Sequence, residues 1–465
     1  MKQSLFVMAM AALLIAPIAT AQTIDFKPPA GGIDLPAYSR TVLPNGLVVL
    51  IMERPADPLV HTRLTIRSGS AADPAGKEGL AALTAALLTT GTPKRTAEQL
   101  AAEIDFAGGV LRAEAGRDAT EITAEFLARD VKKQLDLVAD VTLRPAFAAA
   151  EVERVRAQRV AEIAGMRENP EQYATAQFQS ALYAGTRYAH DPYGSATAVA
   201  ALGRNDVTAF HRARYAPNEA ILAIVGGVKT APTLELVRAA FGGWERRNVA
   251  KIEVGAPKKL AGRNVLVVDA PGMNQTQVRI GSTGIRRSEP DFVAIEVANA
   301  ILSSGFSSRL TEEIRVNRSL TYSIRSRFEP WSNVGPHSIV TFTRNPTTRE
   351  IIDVTFAELK KFRDGPIREN ELTRAKNIVL SRNLLALETA EGLAGMISTI
   401  EMHGLPRDYV DTLVTNVQAV TTQSLANTIR KHFDSDDVLV LVYTTAAETE
   451  KQLEGLGTLR KMRAE

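Results

Sequence analysis

The residues able to make or break a bond are few in this chain, and their spacing limits what they can do. Its histidines are His61, His190, His211, His337, His403 and His432. No two stand four apart, so no helix face offers the i, i+4 imidazole pair that grips one metal ion. There is no cysteine, which removes thiolate ligands, thiol nucleophiles and disulfide staples together. No Gly-x-Ser-x-Gly turn marks a serine nucleophile. On its residues alone, the chain is not a self-sufficient metalloenzyme or serine hydrolase. What remains are donors to an anion. In the stretch 307–322, Arg315 and Tyr322 could together stabilise a negatively charged oxygen, one by fixed charge and one by its O–H. That spacing arises often by chance and assigns nothing by itself. Arg318 is a second base in the same stretch, and a plainer reading has Arg315 capping a helix and Tyr322 opening a strand.

The elements that must position such groups recur along the chain. Pro44-Asn45-Gly46 separates two β-branched runs within 41–51, the mark of a hairpin. The alternating stretch 61–67 predicts a half-buried strand. An Ala/Leu-rich helix is expected over 80–88, and a second from Ala97 with Thr96 as its cap. Strands near 109–115 and 119–127 and helices over 131–141 and 149–166 follow. The second half restarts with strands at 264–269 and 275–281 and a helix near 291–302. Strands around 321–328 and 337–343 and long helices from Thr347 and Arg368 complete it. Each half closes on an apolar strand, 220–226 and 437–443. The plan is stated twice, so an α+β fold in two related lobes is expected, 38–246 and 263–465. A linker at 247–262, with weak periodicity, would join them.

The segment Gly79-Leu80-Ala81-Ala82-Leu83-Thr84-Ala85-Ala86-Leu87-Leu88-Thr89-Thr90-Gly91-Thr92 resembles the core motif of the insulinase/pitrilysin family of zinc metallopeptidases. That family includes the mitochondrial processing peptidases. In its active members this helix carries His-x-x-Glu-His, two metal ligands with a general base between them. Here those positions are Ala82, Ala85 and Ala86. The family's third ligand corresponds to Glu162 and an accompanying family glutamate to Val155; Glu162 reads as a solvated or ion-paired leftover. The resemblance therefore implies no metal and no cofactor in this chain.

The stretch 307–322 resembles the C-terminal-lobe signature of the same family, in which Arg315 and Tyr322 hold the places of residues that bind the substrate carbonyl. Gly69-Ser70, the loop 188–194 around His190, and Tyr215-Ala216-Pro217-Asn218 match further family positions, so the likeness spans nearly the whole mature chain. His190 is expected to be structural or substrate-facing. The long glycine-rich loop of the mitochondrial non-catalytic subunit is not evident; Ser303-Ser304-Gly305-Phe306 is shorter. The likeness implies half of a clamshell, of mitochondrial processing peptidase-like type. This chain would be the non-catalytic subunit of a heterodimeric zinc peptidase acting on unfolded peptides, with the zinc in the partner chain. The alternative is an inactive structural or peptide-binding protein on the same scaffold.

The ends and the composition say where this would happen. Lys2, the apolar run 5–19 and Ala19-Thr20-Ala21 have the layout of a signal peptide at 1–21, predicting a periplasmic or secreted protein. The run is shorter than the roughly 20 residues of a spanning helix, so no stable membrane anchor is expected. A net charge of +3 over 465 residues, with no basic block, argues against nucleic acid.

Overall fold

The computed structural model describes residues 35–464; the signal peptide expected at 1–21 lies outside the described residues. The first half builds a six-stranded sheet from β1 (Tyr38–Val42), β2 (Val48–Glu53), β3 (Leu59–Ile66), β4 (Val110–Ala115), β5 (Thr120–Leu127) and β6 (Ala220–Gly226). The spatial order is β1-β2-β6-β3-β5-β4. β1 and β2 form the expected hairpin, and its turn needs glycine. Gly46 has φ +94°, and a Cβ there would stand 2.8 Å from that of Asn218. The same half contributes helices α1 (Leu80–Leu88), α2 (Ala97–Phe106), α3 (Val131–Leu143), α4 (Ala149–Gly165), α5 (Pro170–Leu182), α6 (Arg204–Arg214) and α7 (Thr230–Phe241). α2 starts where its cap dictates: the Thr96 side chain accepts from Gln99 N, and Gln99 reciprocates.

The second half repeats the pattern with β7 (Asn264–Asp269), β8 (Gln275–Thr283), β9 (Ile324–Phe328), β10 (Pro336–Arg344), β11 (Leu439–Thr444) and β12 (Thr458–Arg463). Its order, read from the far edge, is β12-β7-β11-β8-β10-β9. In each sheet the half's opening strand and its closing strand run parallel, β2 with β6 and β7 with β11. The next three strands pair antiparallel in the same sequence. Only the edge differs. β1 comes from before its sheet and runs antiparallel to β2, while β12 comes from the end of the chain and runs parallel to β7. The long helices of this half are α8 (Phe292–Ser303), α9 (Thr348–Asp364), α10 (Glu369–Ala386) and α11 (Ala390–His403). Among the described residues, no helix is long and apolar enough to cross a membrane.

The halves are joined by an exchange of helices that the sequence reading did not anticipate. α5, from the first half, lays Tyr173, Ala174, Phe178 and Leu182 on Leu266 and Val268 of β7 and Leu439, Leu441 and Tyr443 of β11. α11, from the second half, lays Ala390, Leu393, Ala394 and Ile397 on Leu50 and Met52 of β2 and Ile221, Ala223 and Val225 of β6. Each third long helix thus covers the parallel strand pair of the other half. Those strands are buried on both faces, which is why β6 and β11 read as unbroken apolar runs.

One side chain pins this exchange. Arg279 on β8 is fully buried, and its guanidinium donates to Glu171 O at 2.7 Å and Thr175 Oγ1 at 3.0 Å in the first turns of α5. It also donates to Val278 O and Thr341 O in its own sheet. Burial pulls its pKa down to about 10, so it remains charged at neutral pH and depends on those carbonyls. Arg279→Met should lower stability by about 3 kcal/mol, as breaking buried charge networks does. Hydrogen exchange should show the amides of α5 deprotected before those of β3 and β6; uniform deprotection would argue against a local clamp.

Candidate functional site

The helix that resembles a metal-binding one but is expected to hold no metal is α1, and its surroundings are closely built. Gly79 precedes it with φ +94°, and a Cβ there would lie 2.4 Å from Tyr193 O. The Asp73 carboxylate accepts from Gly79 N and Ala81 N, both at 2.8 Å, which satisfies the helix N-terminus. Burial raises the Asp73 pKa, opposed by His190 and those two N–H groups. His190 Nε2 stands 3.0 Å from Ser70 O and 3.5 Å from Asp73 Oδ2, so this histidine latches the loop that enters α1.

The metal-binding chemistry itself is missing. Ala82 and Ala85 are buried and Ala86 is half-buried, and three methyl groups offer no lone pair. Glu162 lies exposed on α4, with its carboxylate 2.8 Å from Arg159 and accepting from Gln158 at 2.9 Å. Val155, one face inward, is buried. These residues do not fit a zinc ion, which needs about three protein ligands. Among the described residues, Glu289, Asp291 and His432 converge elsewhere, but Lys431 Nζ already sits 2.7 Å from Asp291 and 3.6 Å from Glu289.

Arg315 and Tyr322 are brought together. The guanidinium carbon of Arg315 stands over the Tyr322 ring, 4.3 Å from its centroid, and 4.8 Å from that of Phe306. The local backbone makes this possible. Residues Thr311–Asn317 form a π-helical turn, wider than an α-helix and often found at functional sites. Ser319 then adopts φ +53°, unusual for a residue with a Cβ, and turns the chain back. As a result β9 begins at Ile324 and not at 321, and Tyr322 sits outside the ladder with 73% of its surface exposed. Glu171, Phe306, Thr311, Arg315, Tyr322 and Arg325 line an open groove of about 290 Å³.

The other bases of this stretch are committed elsewhere. Arg318, the nearer neighbour of Tyr322 in sequence, donates to Glu313 at 2.7 Å and lies 3.7 Å from Glu350. Arg309 makes a two-pronged pair with Glu371 at 2.9 Å and 2.9 Å, both groups largely buried. Burial opposes the Glu371 charge, yet Arg309 and Arg368 hold its carboxyl down to about 2. This pair anchors the start of the π-helical turn. No described residue makes a hydrogen bond or ion pair with the side chain of Arg315 or of Tyr322. Two residues that sequence reasoning did not assign complete the site, Phe306 and Arg309. A lone apolar residue in a loop carries no periodic signal, and Arg309 is recognisable only through Glu371, 62 positions away.

Residues 48–194 match the family profile described as insulinase (peptidase family M16), and 201–379 match that of the peptidase M16 inactive domain. Together the two stretches take up more than half of the chain. An uncharacterized zinc protease of Mycobacterium tuberculosis is 29% identical over 400 residues, covering 85% of this chain and 90% of its own length. The mitochondrial-processing peptidase subunit beta of the mouse is 24% identical, covering 77% of this chain and 74% of its own. The fold matches the crystal structure of a peptidase M16 inactive domain from Pseudomonas fluorescens with a TM-score of 0.81 at 24% identity, over 88% of this chain and 98% of that one. A protease from Helicobacter pylori matches with a TM-score of 0.80 at 20% identity, over 88% and 100%.

Proposed function

Because the chain belongs to the insulinase (peptidase M16) family yet carries methyl groups at all three positions of that family's helical zinc motif, we propose that it is the non-catalytic subunit of an exported, heterodimeric zinc peptidase. In this reading a zinc-bearing family member is the partner, the pair works in the periplasm or outside the cell, and unfolded peptides are the substrate. This chain contributes Arg315 and Tyr322. The observation that carries the reading is their state: stacked together at 4.3 Å, open to a groove, with no described carboxylate drawing on either.

That arrangement suits a carbonyl. As a peptide bond is attacked, negative charge grows on its oxygen, and donors already aimed at it lower the barrier without reorganising. Arg315 supplies permanent positive charge and several N–H donors, and Tyr322 supplies an O–H. The chain alone should not hydrolyse peptides.

Co-expression with a zinc-bearing relative from the same organism, assayed on a quenched peptide, tests the proposal. Activity should appear only in the mixture and vanish on chelation. Within that complex, Tyr322→Phe or Arg315→Ala should each lower kcat by about 10²–10³-fold, the usual effect of removing one such donor. A stable complex that stays inactive would move the reading to a peptide-binding or structural role. A complex indifferent to both substitutions would remove these residues from the site.

A further inference from the structure

We infer that Phe306 is a positioning residue for Arg315, holding its guanidinium in place without consuming its donors. This inference rests on the shared-site reading and adds a residue to it. Two other arginines of the stretch 307–322 are fixed by carboxylates, Arg309 by Glu371 and Arg318 by Glu313. A carboxylate orients a guanidinium by occupying its N–H edge and cancelling its charge. An aromatic ring orients it through the face and leaves the edge free. Arg315 has rings at 4.3 Å and 4.8 Å and no carboxylate partner among the described residues, which is the arrangement that keeps both charge and donors available.

The placement of Phe306 makes little sense otherwise. It is 71% exposed, in a loop turned by Gly305 at φ +83°, and so contributes little burial to the core. Such an aromatic is conspicuous in a segment where Tyr322 and Val316 are also exposed around the same arginine in sequence. Its one described ring contact is Arg315. Tyr322 has its own task at the carbonyl and can hold only one side of the cation; Phe306 supplies a second surface whose ring has no polar group to compete for substrate.

Because Phe306 is exposed, its substitutions should leave the protein folded, so loss of function would report on Arg315. In the complex with its zinc-bearing partner, Phe306→Ala should lower kcat by about fivefold with KM within about twofold, the size expected of one exposed cation–π contact. Phe306→Tyr should restore it, and Phe306→Leu, of similar bulk without a ring, should not. A second readout needs no partner and no activity. In the free chain with labelled arginine, the Arg315 Nε–Hε resonance should be shifted by ring currents in the parent and in Phe306→Tyr, and lose much of that shift in Phe306→Ala. An unchanged resonance in Phe306→Ala, or full activity in Phe306→Leu, would overturn the inference while leaving the shared site standing. A resonance that responds to Phe306 in a complex whose turnover ignores Arg315→Ala would instead overturn the shared site, and the inference with it.

Discussion

Writing the metal-binding motif back into α1, as Ala82→His, Ala85→Glu and Ala86→His, is expected to give a protein at least about 5 kcal/mol less stable and no zinc peptidase. Ala85 is fully buried in the first-half core beside Leu80, Ala81 and Leu83, and Ala82 is almost as enclosed. Overpacking a filled core costs about 1–3 kcal/mol per site, and a carboxylate confined there without a partner costs several more. The third ligand would also be missing, since Glu162 is exposed and paired with Arg159. Chemical denaturation of the triple variant, with zinc titrated by calorimetry, checks both halves of the claim. A stable variant that binds one zinc ion tightly would show that α1 retains room for a site.

A steep loss of stability in mild acid is the second large effect expected, and two histidines drive it. His337 is fully buried on β10, with Nε2 2.9 Å from Ser326 Oγ and its ring stacked on Phe328 at 4.2 Å. Burial pushes its pKa down to about 3. His211, in the last turn of α6, has Nε2 2.7 Å from Thr142 O, and burial pushes it down to about 4 against that hydrogen bond. Both are neutral in the fold, whereas the unfolded chain protonates them below about 6.5. Their contribution is therefore complete above that pH and is lost as pH falls toward 4 and then 3. At pH 5 each should have cost about 2 kcal/mol relative to pH 8. Glu371 adds a later loss: its stabilisation is complete above about 4.5 and disappears as pH falls toward 2. Urea midpoints measured from pH 8 to 5 should fall, and His337→Phe should make that slope shallower. Parallel slopes for the two proteins would mean that His337 does not titrate as its burial implies.

Much of the fold was legible because its code is local. The Thr96–Gln99 capping box, the Ala/Leu run of α1 and the in–out alternation of β5 each announce an element within a few residues. The repeated order of elements then revealed two α+β lobes. α5 and α11 escaped because what makes them helices to be kept is, in each case, a sheet built by the other half of the chain. Short signals were present, Asn169 before Pro170 and Thr389 accepting from Gly392 N, yet weak beside the packing. β12 is exposed along most of its length and so has no alternation to read. At the candidate site, the methyls of α1 and the presence of Arg315 and Tyr322 were visible in sequence. The partnership with Phe306, the π-helical turn and the committed state of Arg318 depend on backbone geometry that no spacing encodes.

The helix exchange has a consequence for how this molecule can diverge. A substitution on α5 alters the interior of the second half, and one on α11 alters the interior of the first. The two copies are therefore free to differ at their candidate-site positions, where one holds three methyls and the other an arginine stacked on a tyrosine. In their interiors they share a single inheritance: neither can be replaced, borrowed or refitted as a separate cassette unless the other half accepts the foreign helix laid across it.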